Sequence, residues 1–171
     1  TDKELWQNAK VMEAFVKTMG KRIGPKSGTD KMFVIDGEPD AMAAQYGEYF
    51  NYFILQAYNS SGNSDLNSRF TAQATHFQQY LTPEQVANKL IVCENFENYA
   101  GTGGVTFRLD NGTTVPSLLG MAYWNPVYNG VTYRKGGVGT YHMEYEYTVS
   151  GQTGNYPFLR KAIQIMNPSI Q

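Results

Sequence analysis

The chain has 171 residues, 14 basic against 15 acidic side chains for a net charge of −1, and one cysteine, Cys93. That length suits a single α+β domain over residues 1–171; the near-neutral balance excludes the basic footprint of a nucleic-acid binder, and a lone cysteine excludes an intrachain disulfide, a cysteine-based zinc site and a CxxC redox pair. No apolar run approaches the roughly 18 residues that span a bilayer, and the opening at Thr1, with no signal peptide in view, points to a processed or trimmed protein.

In chain order, Thr1 and Glu4 form a capping box, and Leu5, Met12, Phe15, Val16, Met19 and Ile23 make one stripe at helical spacing, so residues 1–23 read as an amphipathic helix ended by Gly24-Pro25. Met32 to Ile35 is a short apolar run, a strand or a buried linker, before the Asp36-Gly37 turn. Asp40 can cap a second helix whose apolar positions, Met42, Tyr46, Tyr49, Phe50, Phe53, Ile54 and Ala57, fit a helical face. The spacing of Leu66, Phe70, Phe77 and Leu81 predicts a third helix. Thr82-Pro83-Glu84-Gln85 starts a short fourth with a capping box and proline at its first position.

The second half of the chain alternates with period two between Gly and Asn turns, which predicts an antiparallel sheet. Val105–Leu109 and Thr113–Val115 flank the Asp110-Asn111-Gly112 turn as a hairpin. Further strands are expected at Leu118–Trp124, Val131–Arg134 and Tyr141–Val149. In the last, Tyr141, Met143, Tyr145, Tyr147 and Val149 share one face while His142, Glu144, Glu146 and Thr148 share the other. Residues Pro157 to Met166 close the chain as a short helix. The expected fold is therefore α+β, an N-terminal amphipathic helix and a helical middle packed on a C-terminal antiparallel sheet.

Candidate chemistry is sparse. His142, Glu144 and Glu146 could supply metal ligands or an acid/base pair from one strand face, although a solvated face explains them as well. Cys93 and His142 could form a nucleophile pair, but Cys93 follows Leu90-Ile91-Val92, the setting of an inert buried thiol. His76 fits a surface or half-buried role. The carboxylates of Asp36, Glu38 and Asp40 lack the spacing of an EF-hand loop. The glycines near positions 101–104 and 136–139 match no phosphate-binding or dinucleotide motif, and neither G-x-S-x-G nor H-E-x-x-H occurs. Two N-x-[ST] triplets, at Asn59 and Asn111, matter only in a eukaryotic secretory pathway. The composition, 13 Tyr and 17 Gly with 17% charged residues, suits a secreted, sheet-rich protein. Tyr49, Tyr52, Tyr123, Trp124, Tyr128 and Tyr133 could form an aromatic ligand or sugar platform, or pack in the core.

The helix at residues 1–23, the strand-turn-strand of Val105 to Val115, and Val127-Tyr128-Asn129-Gly130 with Gly136 to Tyr147 together resemble the soluble domain of a type IV pilin or type II secretion pseudopilin. The resemblance covers about half the chain and lacks that family's processing site, its apolar helix and its paired cysteines. It implies a non-catalytic structural subunit of an extracellular filament or secretion pseudopilus. Such a subunit would sit at the cell surface or in the periplasm, meeting copies of itself and reaching the membrane only through a segment absent from this chain. It implies no cofactor, no metal and no catalytic residue. The alternative reading is an extracellular or periplasmic glycan- or ligand-binding module with an aromatic-lined site. A small enzyme using His142 with Glu144 or Glu146 is the third.

Overall fold

A computed structural model describes residues 8–149 and 155–168. Helix α1 (Ala9–Met19) is capped by Asn8, whose side chain accepts the Val11 amide, and it buries Met12 and Val16. The expected cap at Thr1 and Glu4 lies outside the described residues. Strand β1 (Val34–Gly37) follows, then two segments of 3-10 helix at Pro39–Ala41 and Ala44–Tyr49, then β2 (Tyr52–Gln56). Two helices, α2 (Asn63–Phe77) and α3 (Pro83–Lys89), lead to β3 (Leu90–Asn95). The capping box expected at Thr82 is present in both directions, Thr82 Oγ1 to the Gln85 amide and Gln85 Oε1 to the Thr82 amide.

Beyond β3 come a hairpin of β4 (Thr106–Arg108) and β5 (Thr114–Pro116), helix α4 (Ser117–Tyr123), and a small hairpin of β6 (Val127–Tyr128) and β7 (Val131–Thr132). Strand β8 (Gly137–Tyr141) and helices α5 (Met143–Thr148) and α6 (Pro157–Met166) complete the described chain. The Asp110-Asn111-Gly112 turn forms as expected: Gly112 takes φ +85°, and the Leu109 amide donates to the Thr113 carbonyl.

The mixed α/β character holds, but the expected antiparallel C-terminal sheet is corrected. The main sheet has the order β1-β2-β3-β8 and every pairing in it is parallel; among the described residues, antiparallel pairing is confined to the two small hairpins. Three local readings change with it. Residues 52–56, expected at the end of a second helix, are β2; the strand expected at Leu118–Trp124 is helical over Ser117–Tyr123; and the strand expected at Tyr141–Val149 is a helix over Met143–Thr148, the strand lying before it at Gly137–Tyr141. The physical reason is that parallel strands are near-continuous apolar runs, such as Tyr52-Phe53-Ile54-Leu55 and Leu90-Ile91-Val92, and a run that short satisfies a helical period as readily as a strand.

The two faces of the sheet differ. Ile35, Phe53, Leu55 and Val92 are buried beneath the connecting segments, where Phe53 sits between Phe50 and Phe77 in the main core. A second cluster of Phe96, Leu118, Ala122 and Ala162 seals α4 and α6 together. On the opposite face, Val34 and Asp36 are exposed and Ile54, Ile91 and Gly139 half-buried. Sequential parallel strands with connections on one side are the layout of half a (β/α)8 barrel, whose other face turns inward to pack against the remaining strands.

One carboxylate is spent on this scaffold. Glu146, fully buried, accepts the amides of Phe158 (2.5 Å) and Leu159 (3.4 Å). Helix α6 has no side-chain cap of its own, so Glu146 supplies one from α5. Burial pushes its carboxyl pKa up, against the pull of those two amides. Glu146→Ala is expected to cost roughly 1–2 kcal/mol of stability, read by urea denaturation. A loss confined to a few tenths would mean the cap contributes nothing.

Candidate functional site at the strand ends

Parallel strands all deliver their carboxyl ends to one edge, and in barrels and open α/β sheets that edge is where ligands bind. Here the register aligns side chains of the open face in rows across the sheet. Asp36 stands beside Ile54, then Ile91 and Gly137; Gln56 stands beside Cys93 and Gly139; Asn95 stands beside Tyr141. The polar members lie toward the carboxyl end. The Gln56 amide nitrogen reaches Asp36 Oδ1 at 3.5 Å.

Just past β2, Tyr58 meets Tyr141 with ring centroids 6.4 Å apart. Tyr141 in turn contacts His142 edge to face at 5.1 Å, and His142 stacks on Tyr145 at 4.2 Å. Four aromatic rings thus run along the mouth of the sheet, with Tyr141 48% exposed. The Tyr141–His142 peptide is cis. Burial, followed by the nearby Cys93 and Asp36, pushes the Tyr58 phenol up to about 12. Burial, with Asp36 and Glu94 adding to it, also holds the Cys93 thiol near 12. Both groups are therefore neutral at ordinary pH. Tyr58 is a hydrogen-bond donor and acceptor, and Cys93 is no nucleophile, which removes the Cys93–His142 pair.

The other expected site residues are dispersed. His142 Nδ1 lies 3.6 Å from Glu144 Oε1, but Glu146 turns inward to cap α6, so the three do not converge. Among the described residues no group of three His, Cys, Asp or Glu side chains could hold a metal ion. His76 hydrogen-bonds the Met42 carbonyl at 2.7 Å and is structural. The six aromatics singled out as a platform do not form one. Trp124 is buried with Nε1 donating to Asn67 Oδ1, Tyr128 and Tyr133 pack against Phe70, Tyr49 lies under Lys26, Tyr52 opens β2 and Tyr123 ends α4. The rings that do line the mouth include Tyr58, which no periodic pattern marks, because it follows an apolar run that fits a helix as readily as a strand.

Half a singly wound parallel barrel, with polar and aromatic side chains gathered at the strand ends, is a (β/α)8-type layout, in which ligands bind at that end of the strands. Residues 1–165 match the family described as Glycoside hydrolase family 18, BT1044-like, and the chain belongs to that family. It is 29% identical over 164 residues to endo-beta-N-acetylglucosaminidase F2 of Elizabethkingia meningoseptica, covering 91% of this chain and 45% of that protein. A solved structure of a BT1044 variant superposes with a TM-score of 0.72 at 27% identity, over 93% of this chain and 45% of that one. A mutant endo-beta-N-acetylglucosaminidase from Cordyceps militaris, in complex with fucosyl-N-acetylglucosamine-Asn, shares the fold with a TM-score of 0.65 at 23% identity, over 94% of this chain and 52% of that one. The chain thus spans about half the length of these relatives.

These findings overturn the pilin resemblance and the filament or pseudopilus subunit inferred from it. The helix, the Asn-Gly turns and the late strand that carried it are features of α/β domains in general. The expectation of a protein unrelated to enzymes is corrected as well, because the family is one of glycoside hydrolases. The glycan-binding alternative fits this family better than the filament subunit does.

Proposed function

We propose that this chain forms one wall of the substrate cleft of a glycoside hydrolase family 18 protein acting, outside the cytoplasm, on glycans that contain N-acetylglucosamine. The observation that carries this reading is the convergence of Asp36, Gln56, Tyr58, Asn95 and Tyr141 at the carboxyl edge of four parallel strands. Flat rings such as Tyr58 and Tyr141 cover the apolar faces of a sugar, while amides and a carboxylate pair with its hydroxyl and N-acetyl groups. Cleavage in family 18 is substrate-assisted: the sugar's own N-acetyl oxygen attacks the anomeric carbon as an acid protonates the leaving oxygen. Among the described residues, Asp36 is the one carboxylate that the register places on the open sheet face, and the amides and rings beside it bind the sugar and orient its N-acetyl group.

Titration of the protein with an N-acetylglucosamine disaccharide linked to asparagine tests the reading. Tyr58→Ala and Tyr141→Ala are each expected to weaken binding about five- to twenty-fold, the worth of one ring contact. Unchanged affinity in both variants would place the site elsewhere. Binding by the wild type without any release of sugar would instead favour the binding-module reading.

A further inference from the structure

Glu94 is the one carboxylate of the main sheet that is fully buried, and it belongs to the covered face, in phase with Leu90 and Val92. Its Oε1 accepts two backbone amides: that of Asn95, its neighbour on β3 (2.7 Å), and that of Asn59, in the turn beyond β2 (3.1 Å). Asn59 takes φ +61°, a left-handed conformation that needs outside support in a residue with a Cβ. Tyr58, whose ring stands at the mouth against Tyr141, is the residue immediately before it. We propose that Glu94 is the positioning residue of the site: its buried carboxylate clamps the Tyr58–Asn59 turn to β3 and so fixes where the Tyr58 ring meets a sugar. The inference rests on the reading of the strand ends as a glycan site.

The surroundings are built for this role. Gly104, at φ +104°, packs directly over the carboxylate; a Cβ there would lie 1.9 Å from Ser117 Oγ, 3.0 Å from Glu94 Cγ and 3.2 Å from Glu94 Oε2. The loop from Tyr99 to Gly104 thus forms a lid that only glycine can close. Glu94 Oε2 and Ser117 Oγ are both buried without a hydrogen-bond partner. A carboxyl group whose second oxygen reaches neither a backbone donor nor the open face is not placed to touch substrate. Geometry, not charge at the reacting atoms, is what it supplies.

The distinction decides between two conservative substitutions. Glu94→Gln keeps an acceptor oxygen at the same reach. Glu94→Asp keeps the charge but withdraws it by one methylene from the Asn59 amide. If Glu94 positions Tyr58, Gln should leave disaccharide affinity within about threefold of wild type, whereas Asp should weaken it about tenfold, the worth of one hydrogen bond. Two readouts follow the clamp itself. Amide hydrogen exchange at Asn59 should accelerate about tenfold in the Asp variant and not in Gln. The Tyr58 phenol, near 12 in the wild type, should move down toward 10 in the Asp variant as its ring gains solvent, followed by NMR of ring-labelled tyrosine.

Equal loss of affinity in Gln and Asp would overturn the proposal in favour of a charged group acting directly. An Asn59 amide indifferent to Asp would overturn it outright. Failure of the wild type to bind disaccharide, with Asn59 and Tyr58 responding as described, would sink the glycan reading and leave the clamp standing.

Discussion

Replacing Phe53 by alanine is expected to lower the unfolding free energy by about 3–5 kcal/mol, a large share of the 5–15 kcal/mol typical of a whole domain. Phe53 is fully buried at the centre of the sheet, on β2, with its ring stacked on Phe77 of α2 at 5.0 Å and tilted against Phe50 at 6.4 Å. It therefore joins the sheet to the helix and to the 3-10 segment at once. None of these partners is a flexible side chain that could swing in to fill the space, so the cavity term adds to the lost transfer energy. Urea unfolding would read the change. Phe53→Leu, which keeps most of the volume, should cost no more than about half as much. A loss below about 1.5 kcal/mol for alanine would show that α2 does not pack on β2 in this way.

The second large effect concerns Lys135, which is buried just before β8 and donates to the carbonyls of Ala122 (2.9 Å) and Trp124 (2.5 Å) at the end of α4. It closes a helix C-terminus that would otherwise leave orphan acceptors. Burial, reinforced by the Arg134 charge, holds its ammonium near pKa 8, well below the 10.5 of a free lysine. The neutral amine still has two hydrogens for the two carbonyls, so deprotonation removes the buried charge without breaking the cap.

Below pH 8 lysine is charged in both folded and unfolded chains, and the folded state bears the desolvation; between pH 8 and 10.5 the unfolded chain alone keeps the proton. Stability should therefore rise with pH across that window, by about 2–3 kcal/mol in total from this residue. Cys93 and Tyr58 work the other way, because their folded pKa values are raised to about 12 and the stability they confer is lost as pH climbs past their free values toward it. The Lys135 contribution is isolated by subtracting the pH profile of a Lys135→Met variant. The difference should slope upward from pH 8 and flatten above about 10.5. A flat difference would mean that the amine is solvated in the folded protein.

Legibility in the sequence followed the range of the interaction. The Thr82 capping box and the Asn111-Gly112 hairpin are each set by contacts among residues a few positions apart, and each formed where expected. The Tyr141–Val149 alternation misled because Tyr and Glu in strict order satisfy a strand as written. The structure makes Met143–Thr148 helical, which brings Glu146 round to cap Phe158 and Leu159. That requirement lies twelve residues away and leaves no trace in the local pattern. The site was hidden for a similar reason. Asp36, Gln56, Tyr58, Asn95 and Tyr141 come from four strands spread over the chain and meet only because those strands pair in parallel register. No spacing rule marks such residues, whereas the aromatics that did attract notice were those needed for packing around Phe70 and Asn67.

The amino-acid sequence by itself determined the neutral charge balance, the absence of a disulfide, the positions of caps and tight turns, and the mixture of helix and strand, because each depends on composition or on neighbours along the chain. Only the tertiary structure decided that the strands run parallel in the order β1-β2-β3-β8, that one face stays open with a polar, aromatic edge, and that Glu94 ties two strand ends together beneath it. Strand direction and face depend on which segment packs against which, and that choice is made by the burial of Phe53, Leu55 and Val92 across the whole fold.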